Sequence, residues 1–227
     1  IIYEKKLFFV DSYQRGYKWD KQQVEDLLND IYNFELGKHG DFYCLQPVVV
    51  KEKDGVAELI DGQQRMTTIF IILCFLQKEK FQIDYQTRKI SAWFLTNIIS
   101  DNKIKLNDWS EFKNEEFLDE ANGKVNINNV DNYHFFTAYK TIEKWFSESI
   151  NKENFYNNLT QNTKVIWYQV NEDIISQELF ARINIGKIPL TISELIKALF
   201  LSSGKDVDSI INQIKVNWSA ENSQIEI

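Results

Sequence analysis

The fold turns on Val56-Ala57-Glu58-Leu59-Ile60-Asp61-Gly62-Gln63-Gln64-Arg65-Met66-Thr67-Thr68. A β-rich run ends at Asp61, Gly62 permits a tight turn, and Ile69 to Gln77 is apolar almost all round, the pattern of a buried helix. The first-turn N–H groups of such a helix lack intrahelical partners, and its dipole is positive there. Arg65 and the hydroxyls of Thr67 and Thr68 lie in or near the same turn. Backbone donors, a guanidinium and hydroxyls together suit a phosphate, and Asp61 adds a carboxylate able to hold Mg²⁺ or orient a water. The plainer alternative has Asp61 capping the helix and Arg65 pairing with a nearby carboxylate. Gln63 and Gln64 weigh toward the phosphate reading, because amides opening a buried helix are costly unless hydrogen-bonded.

Upstream of this stretch, Lys53-Asp54-Gly55 separates Phe42–Lys51 from Val56–Ile60. Asp-Gly between two β-rich runs signals a hairpin. Pro47 places the start of the first run near that residue, or the run at a sheet edge. Tyr3–Val10 reads as a short strand. Asp20 reads as the N-cap of a helix carrying Val24, Leu27, Leu28, Ile31 and Tyr32 at helical spacing, ended by Gly37 and Gly40. Downstream the pattern turns helical. Asp84–Ser100 and Asn132–Ile150 read as helices, with a polar, Asn-rich loop containing short helices over 101–131. Lys164–Val170 is a strand candidate and Ile174–Ile183 a helix stopped by Gly186. Thr191-Ile192-Ser193-Glu194 is a capping box opening a helix to Ser203, and Asp206–Trp218 is a final amphipathic helix.

The chain has 227 residues, 26 Lys and Arg against 33 Asp and Glu, and a net charge of −7. That excludes a generally basic nucleic-acid coat, though not a local basic patch. Hydrophobic residues at 44% and charged residues at 26% match a folded protein, not a disordered one. The longest apolar run, Ile69–Leu76, falls far short of the roughly 20 residues that span a bilayer. Cys44 and Cys74 have neither CxxC spacing nor a neighbouring His, and read as reduced core residues of a cytoplasmic protein. Walker A, HExxH, EF-hand, GxSxG and GxGxxG patterns are absent from the sequence. His39 and His134 are the only histidines, too few for a His-based nuclease centre. A beginning at Ile1-Ile2-Tyr3 and an end at Ile225-Glu226-Ile227 read as a fragment of a longer protein.

Two further segments carry chemistry. Tyr13-Gln14-Arg15-Gly16-Tyr17-Lys18-Trp19 interleaves aromatics with basic residues, which stack on bases and pair with phosphates; the same pattern also makes a loop clamped onto a core. Phe180-Ala181-Arg182-Ile183-Asn184-Ile185-Gly186-Lys187-Ile188-Pro189-Leu190-Thr191 forms a rigid corner in which Arg182 and Asn184 can face a ligand, with Lys197 on the following helix. A third set, Asp61, Glu58 and Lys51 near one hairpin, is a weak carboxylate–carboxylate–Lys arrangement for DNA cleavage, usually no more than a solvated hairpin face.

In this order and spacing, the three segments resemble the GmrSD-type restriction endonuclease N-terminal domain family from about residue 8 to 203, with Asp61-Gly62-Gln63-Gln64-Arg65 as the most specific block. Cys44-Leu45-Gln46-Pro47 departs from that family's more usual Leu-Gly-Ser. The resemblance implies an α+β fold: a small ParB/sulfiredoxin-like domain of mixed sheet and helix over 1–83, followed by a mostly helical domain over 84–227, truncated at its C-terminus. It implies NTP binding and hydrolysis with Mg²⁺ in a bacterial, anti-phage, modification-dependent DNA restriction system. Cutting would be done by a His-Asn-His-type nuclease domain or chain. The resemblance itself maps phosphate binding onto Gly62 and Arg65 and sensing onto Tyr13, Gln14 and Arg15; joined to the chemistry of the turn, it gives Asp61, Gln63, Gln64 and Arg65 for catalysis, with Asp61 on the metal. Gly62, Arg65, Thr67, Thr68, Arg15, Arg182, Asn184 and Lys197 would bind nucleotide, and Tyr13, Gln14, Arg15, Tyr17 and Lys18 would sense modified DNA. The rival expectation is a non-catalytic module that recognises modified DNA or a partner nuclease.

Overall fold

The computed structural model describes residues 7–35, 41–119 and 123–184. The expectations for Gly37, Gly40, Gly186, the capping box at 191–194, Lys197 and the helices beyond lie outside these residues. The chain divides into one unit of Ile1–Asp11 with Gly16–Glu172, and a second of Ser12–Arg15 with Asp173–Ile227.

The first unit is an α+β domain built on a five-stranded mixed sheet in the order β4-β1-β3-β2-β7. Its strands are β1 (Leu7–Val10), β2 (Tyr43–Lys53), β3 (Val56–Asp61), β4 (Gln82–Tyr85) and β7 (Thr163–Val170). β1 runs parallel to β3 and β4, β2 antiparallel to β3, and β7 parallel to β2. Asp54 and Gly55, both at positive φ, make the two-residue turn between β2 and β3, as Asp-Gly dictates.

Pro47 departs from expectation. β2 lies between β3 and β7, not at an edge, and Pro47 falls where the register to β7 shifts between Leu45 and Val48. A strand irregularity accommodates the missing N–H. Cys74 is buried as expected, but Cys44 is exposed, because it lies on the outward side of β2.

Helix α1 (Lys21–Tyr32) starts at Asp20 with a full capping box: the Asp20 carboxylate accepts from the Gln22 and Gln23 amides, and Gln23 accepts from the Asp20 N–H. Its buried stripe is Val24, Leu27, Leu28 and Ile31. Helix α2 (Gln63–Phe75) is buried from Gln63 to Cys74. α3 (Lys89–Phe94) runs into a π-helical turn at Leu95–Ile99, and α4 (Trp109–Phe112) precedes a small hairpin of β5 (Phe117–Asp119) and β6 (Gly123–Val125). α5 (Val130–Phe146) is the hub of the core. Its Phe135 ring meets Tyr17 at 5.2 Å, Tyr85 at 6.3 Å and Phe94 at 6.5 Å. α6 (Lys152–Asn157) follows.

The division expected at residues 83 and 84 falls inside β4, which pairs with β1. β7, from the segment expected to be a separate helical domain, completes the same sheet. A strand cannot leave its hydrogen-bonded ladder without exposing backbone groups, so the sheet and helices of 16–172 form one body. The second unit contains α7 (Ser176–Asn184), whose Phe180 ring lies 5.3 Å from Tyr13.

Candidate functional site

The site grows from the junction of β3 and α2. Gly62 is the N-cap of α2 at φ 95°, a conformation that L side chains rarely adopt. A Cβ there would also come within 3.0 Å of Val48 Cγ2. Glycine is therefore required twice over, and it brings no capping side chain. Asp61 does not cap the helix: it is the last residue of β3, paired with Val49, and α2 has no side-chain cap.

Arg65 is only 8% exposed. Its Nη1 donates to Gln46 Oε1 at 3.1 Å and its Nη2 to the Pro47 carbonyl at 2.9 Å. Neither bond goes to a carboxylate, so the simple ion-pair alternative is not what holds this side chain. The Nε is buried and unpartnered. Gln63 Nε2 is buried with no partner at full hydrogen-bonding geometry, though its amide acts on the Tyr85 hydroxyl, whose pKa burial raises and this contact lowers. Burial lowers the Arg65 pKa from its ordinary value, while the charges of Asp61 and Tyr43 act to raise it. The first turn of α2 thus holds two buried donors without full hydrogen bonds beside an uncapped helix end. Each unmatched buried donor costs about 1–3 kcal/mol.

Gln64 is fully engaged. Its Nε2 donates to the Gly16 carbonyl at 2.9 Å and to Gln63 Oε1 at 3.3 Å, and its Oε1 accepts from the Lys18 N–H at 2.7 Å. One amide therefore bridges both sides of Tyr17 and fixes the 16–18 loop to α2. The Thr68 hydroxyl lies 2.8 Å from the Tyr17 hydroxyl, and the Thr67 hydroxyl 3.0 Å from that of Tyr85. Both threonines are 0% exposed, so their hydroxyls act within the core, behind the helix end, and not at its surface.

From the other side, Gly16 packs on Asp131, where a Cβ would overlap the carboxylate. Asp131 accepts from Arg88 Nε at 2.7 Å. Burial pushes the Asp131 carboxyl up, against the opposing pull of Arg88. The Tyr17 ring is 0% exposed, and burial pushes its phenol far above the usual range. The aromatic–basic segment is thus a clamped loop at Tyr17. That residue, expected to sense DNA, cannot stack on an exposed base. Lys18 is exposed.

Tyr13, Gln14 and Arg15 belong to the second unit, with Arg182 and Asn184. Tyr13 and Gln14 are buried, Arg15 is half-buried and Arg182 exposed. Asn184 Nδ2 donates to the Phe180 carbonyl at 2.7 Å. Of the expected site residues, the first unit brings together Tyr17, Lys18 and Asp61 to Thr68. Cross-strand register also pairs Lys51 with Glu58. Among the described residues, no group of three or more His, Cys, Asp or Glu side chains is placed to hold a metal ion. No helix among them is long and apolar enough to cross a membrane.

Gln46 is the site residue that the sequence reading missed. The signal for it was the departure at Cys44-Leu45-Gln46-Pro47, a polar residue and a proline where a strand should start. Among known proteins, the family described as GmrSD restriction endonuclease, N-terminal domain, matches residues 1–201. No curated protein matches the chain.

Proposed function

Because the chain belongs to the GmrSD restriction endonuclease N-terminal domain family, we propose that it is the nucleotide-binding, NTP-hydrolysing regulatory part of a DNA restriction system, with cleavage carried by a separate nuclease domain or chain. The observation that carries this reading is the uncapped first turn of α2, with Arg65 Nε buried and unpartnered, and Gln63 Nε2 buried without a full hydrogen bond, beside it. The three phosphate groups of a nucleoside triphosphate would supply the acceptors that this turn lacks. In this reading the 63–65 amides and Arg65 hold the phosphates, and Gln63 orients the attacking water. Gln64 positions the 16–18 loop, and Thr67 and Thr68 brace the turn through Tyr85 and Tyr17.

Among the described residues, Asp61 belongs to no group of three or more candidate metal ligands. It fits Mg²⁺ only as a partner to substrate phosphates, which is how that ion commonly binds. When bound there, the metal would neutralise phosphate charge; Asp61 and Gln63 would hold the water in line, since positioning dominates phosphoryl transfer. With Tyr17 buried, Lys18 is the expected DNA-sensing residue that the first unit leaves exposed. The ParB/sulfiredoxin-like kinship is part of the same proposal, supported by the glycine-led helix start on a mixed sheet.

Phosphate release from ATP, GTP, CTP and UTP with Mg²⁺ is the test. Arg65→Ala is expected to lower turnover at least a hundredfold while keeping the far-ultraviolet circular dichroism of the parent. Equal turnover in the two proteins would contradict the assignment.

A further inference from the structure

Gln46 stands on the exposed side of β2, at the register shift around Pro47. Its Oε1 accepts from Arg65 Nη1 at 3.1 Å. A guanidinium only donates, so chemistry fixes which way this amide faces. The oxygen must meet Arg65, and the NH₂ is then turned away from it. The Nε2 donates to no described residue, and covalent geometry keeps it about 2.3 Å from the oxygen that Arg65 grips. The guanidinium is buried and is held a second time by the Pro47 carbonyl, so the amide that it grips is oriented before any ligand arrives. Preorganised donors contribute more than mobile ones, because less freedom is lost on binding.

We propose that Gln46 is a ligand-contacting residue of the α2 site, presenting its Nε2 to a phosphate oxygen of the bound nucleotide while its Oε1 keeps Arg65 in place. This rests on the nucleotide reading above and extends it to a residue on β2. It makes the anion site two-sided: α2 supplies backbone amides and Arg65, and the bulged strand supplies a neutral donor. A neutral donor beside a buried arginine also suits the local charge, since the Asp61 field already bears on the guanidinium.

The test is nucleotide affinity, measured by equilibrium titration of the 227-residue chain with ATP, GTP, CTP, UTP and inorganic triphosphate, each with Mg²⁺. The variants are Gln46→Glu, Gln46→Ala and Arg65→Ala. Gln46→Glu keeps an oxygen for Arg65 but loses the donor. Gln46→Ala loses both. Loss of a hydrogen bond to a charged group corresponds to about ten- to a hundredfold in affinity. Both Gln46 variants are expected to bind about that much more weakly. The thermal midpoint stays at the parent value in Gln46→Glu, which keeps an oxygen for Arg65, and falls in Gln46→Ala, which leaves Nη1 of the buried Arg65 unmatched. The Gln46→Glu loss should persist at 0.5 M salt, where mere through-space repulsion from the new carboxylate is screened. If Gln46→Glu binds as the parent does, or recovers fully in salt, the contact is refuted and Gln46 only positions Arg65. If the parent binds none of the five ligands, the nucleotide reading itself fails and this inference fails with it.

Discussion

Gln64 shows how one side chain decides between two readings of a motif. Its amide reaches both Gly16 and Lys18, so a residue that looks catalytic in the sequence turns out to staple a loop. The neighbouring amide, Gln63, is left with a donor short of a full hydrogen bond. His134 carries a prediction at this scale. Burial lowers its pKa, with Asp131 and Asp20 pulling upward and Lys18 adding to the fall. A histidine held neutral in the fold gives stability that is present above its unfolded pKa of about 6.5 and lost as pH falls through the folded value. The thermal midpoint should therefore drop more steeply between pH 6.5 and pH 5 in the parent than in His134→Gln. Parallel slopes would contradict this. The raised Asp131 carboxyl works in the opposite sense, favouring the fold at lower pH; the His134 charge lowers it, so losing that charge in His134→Gln makes the variant's fall shallower still.

At the scale of elements, local chemistry made much of the structure readable. The Asp20 capping box, the Asp54-Gly55 turn and the apolar run of α2 each announce themselves within a few residues. β4 did not. Gln82-Ile83-Asp84-Tyr85 buries only Ile83 and Tyr85, and four alternating residues leading into a helical segment are indistinguishable from its first turn. The loop at Gly16–Trp19 was legible as aromatic and basic, but its burial was not, because the residues covering it come from α2 and α5. The close fit of Gly16 to Asp131 gives the element-scale prediction. Gly16→Ala should destabilise the chain by about 1–3 kcal/mol, measured by urea denaturation. Asp131→Ala in the same chain should recover part of that loss, because the clash is then removed. Additive effects of the two substitutions would show that they do not meet.

At the scale of the whole molecule, the boundary expected near residue 83 falls within β4, which is paired with β1. β7 enters the sheet beside β2 from far along the chain, and Phe135 of α5 fills the core between Tyr17 and Tyr85. Sequence periodicity records neither of these long-range pairings. A fragment of residues 1–83 is expected to lack a cooperative thermal transition and fixed near-ultraviolet circular dichroism; a sharp two-state melt would restore the smaller domain. The site was legible in its position, at Asp61 to Arg65, and not in its partners, since Gln46 and Pro47 reach Arg65 only through the antiparallel pairing of β2 and β3.

The central claim is that the first turn of α2 holds the phosphates of a nucleotide. The most direct measurement is the thermal midpoint of the chain with and without millimolar ATP, GTP, CTP and UTP plus Mg²⁺, in the parent and in Arg65→Ala. A ligand at about 100 times its Kd stabilises by roughly 2.7 kcal/mol, which is roughly 5–10 °C for a protein of this size. The account predicts such a rise for at least one nucleotide in the parent and none in Arg65→Ala. A rise of equal size in both proteins, or none in either, would contradict it.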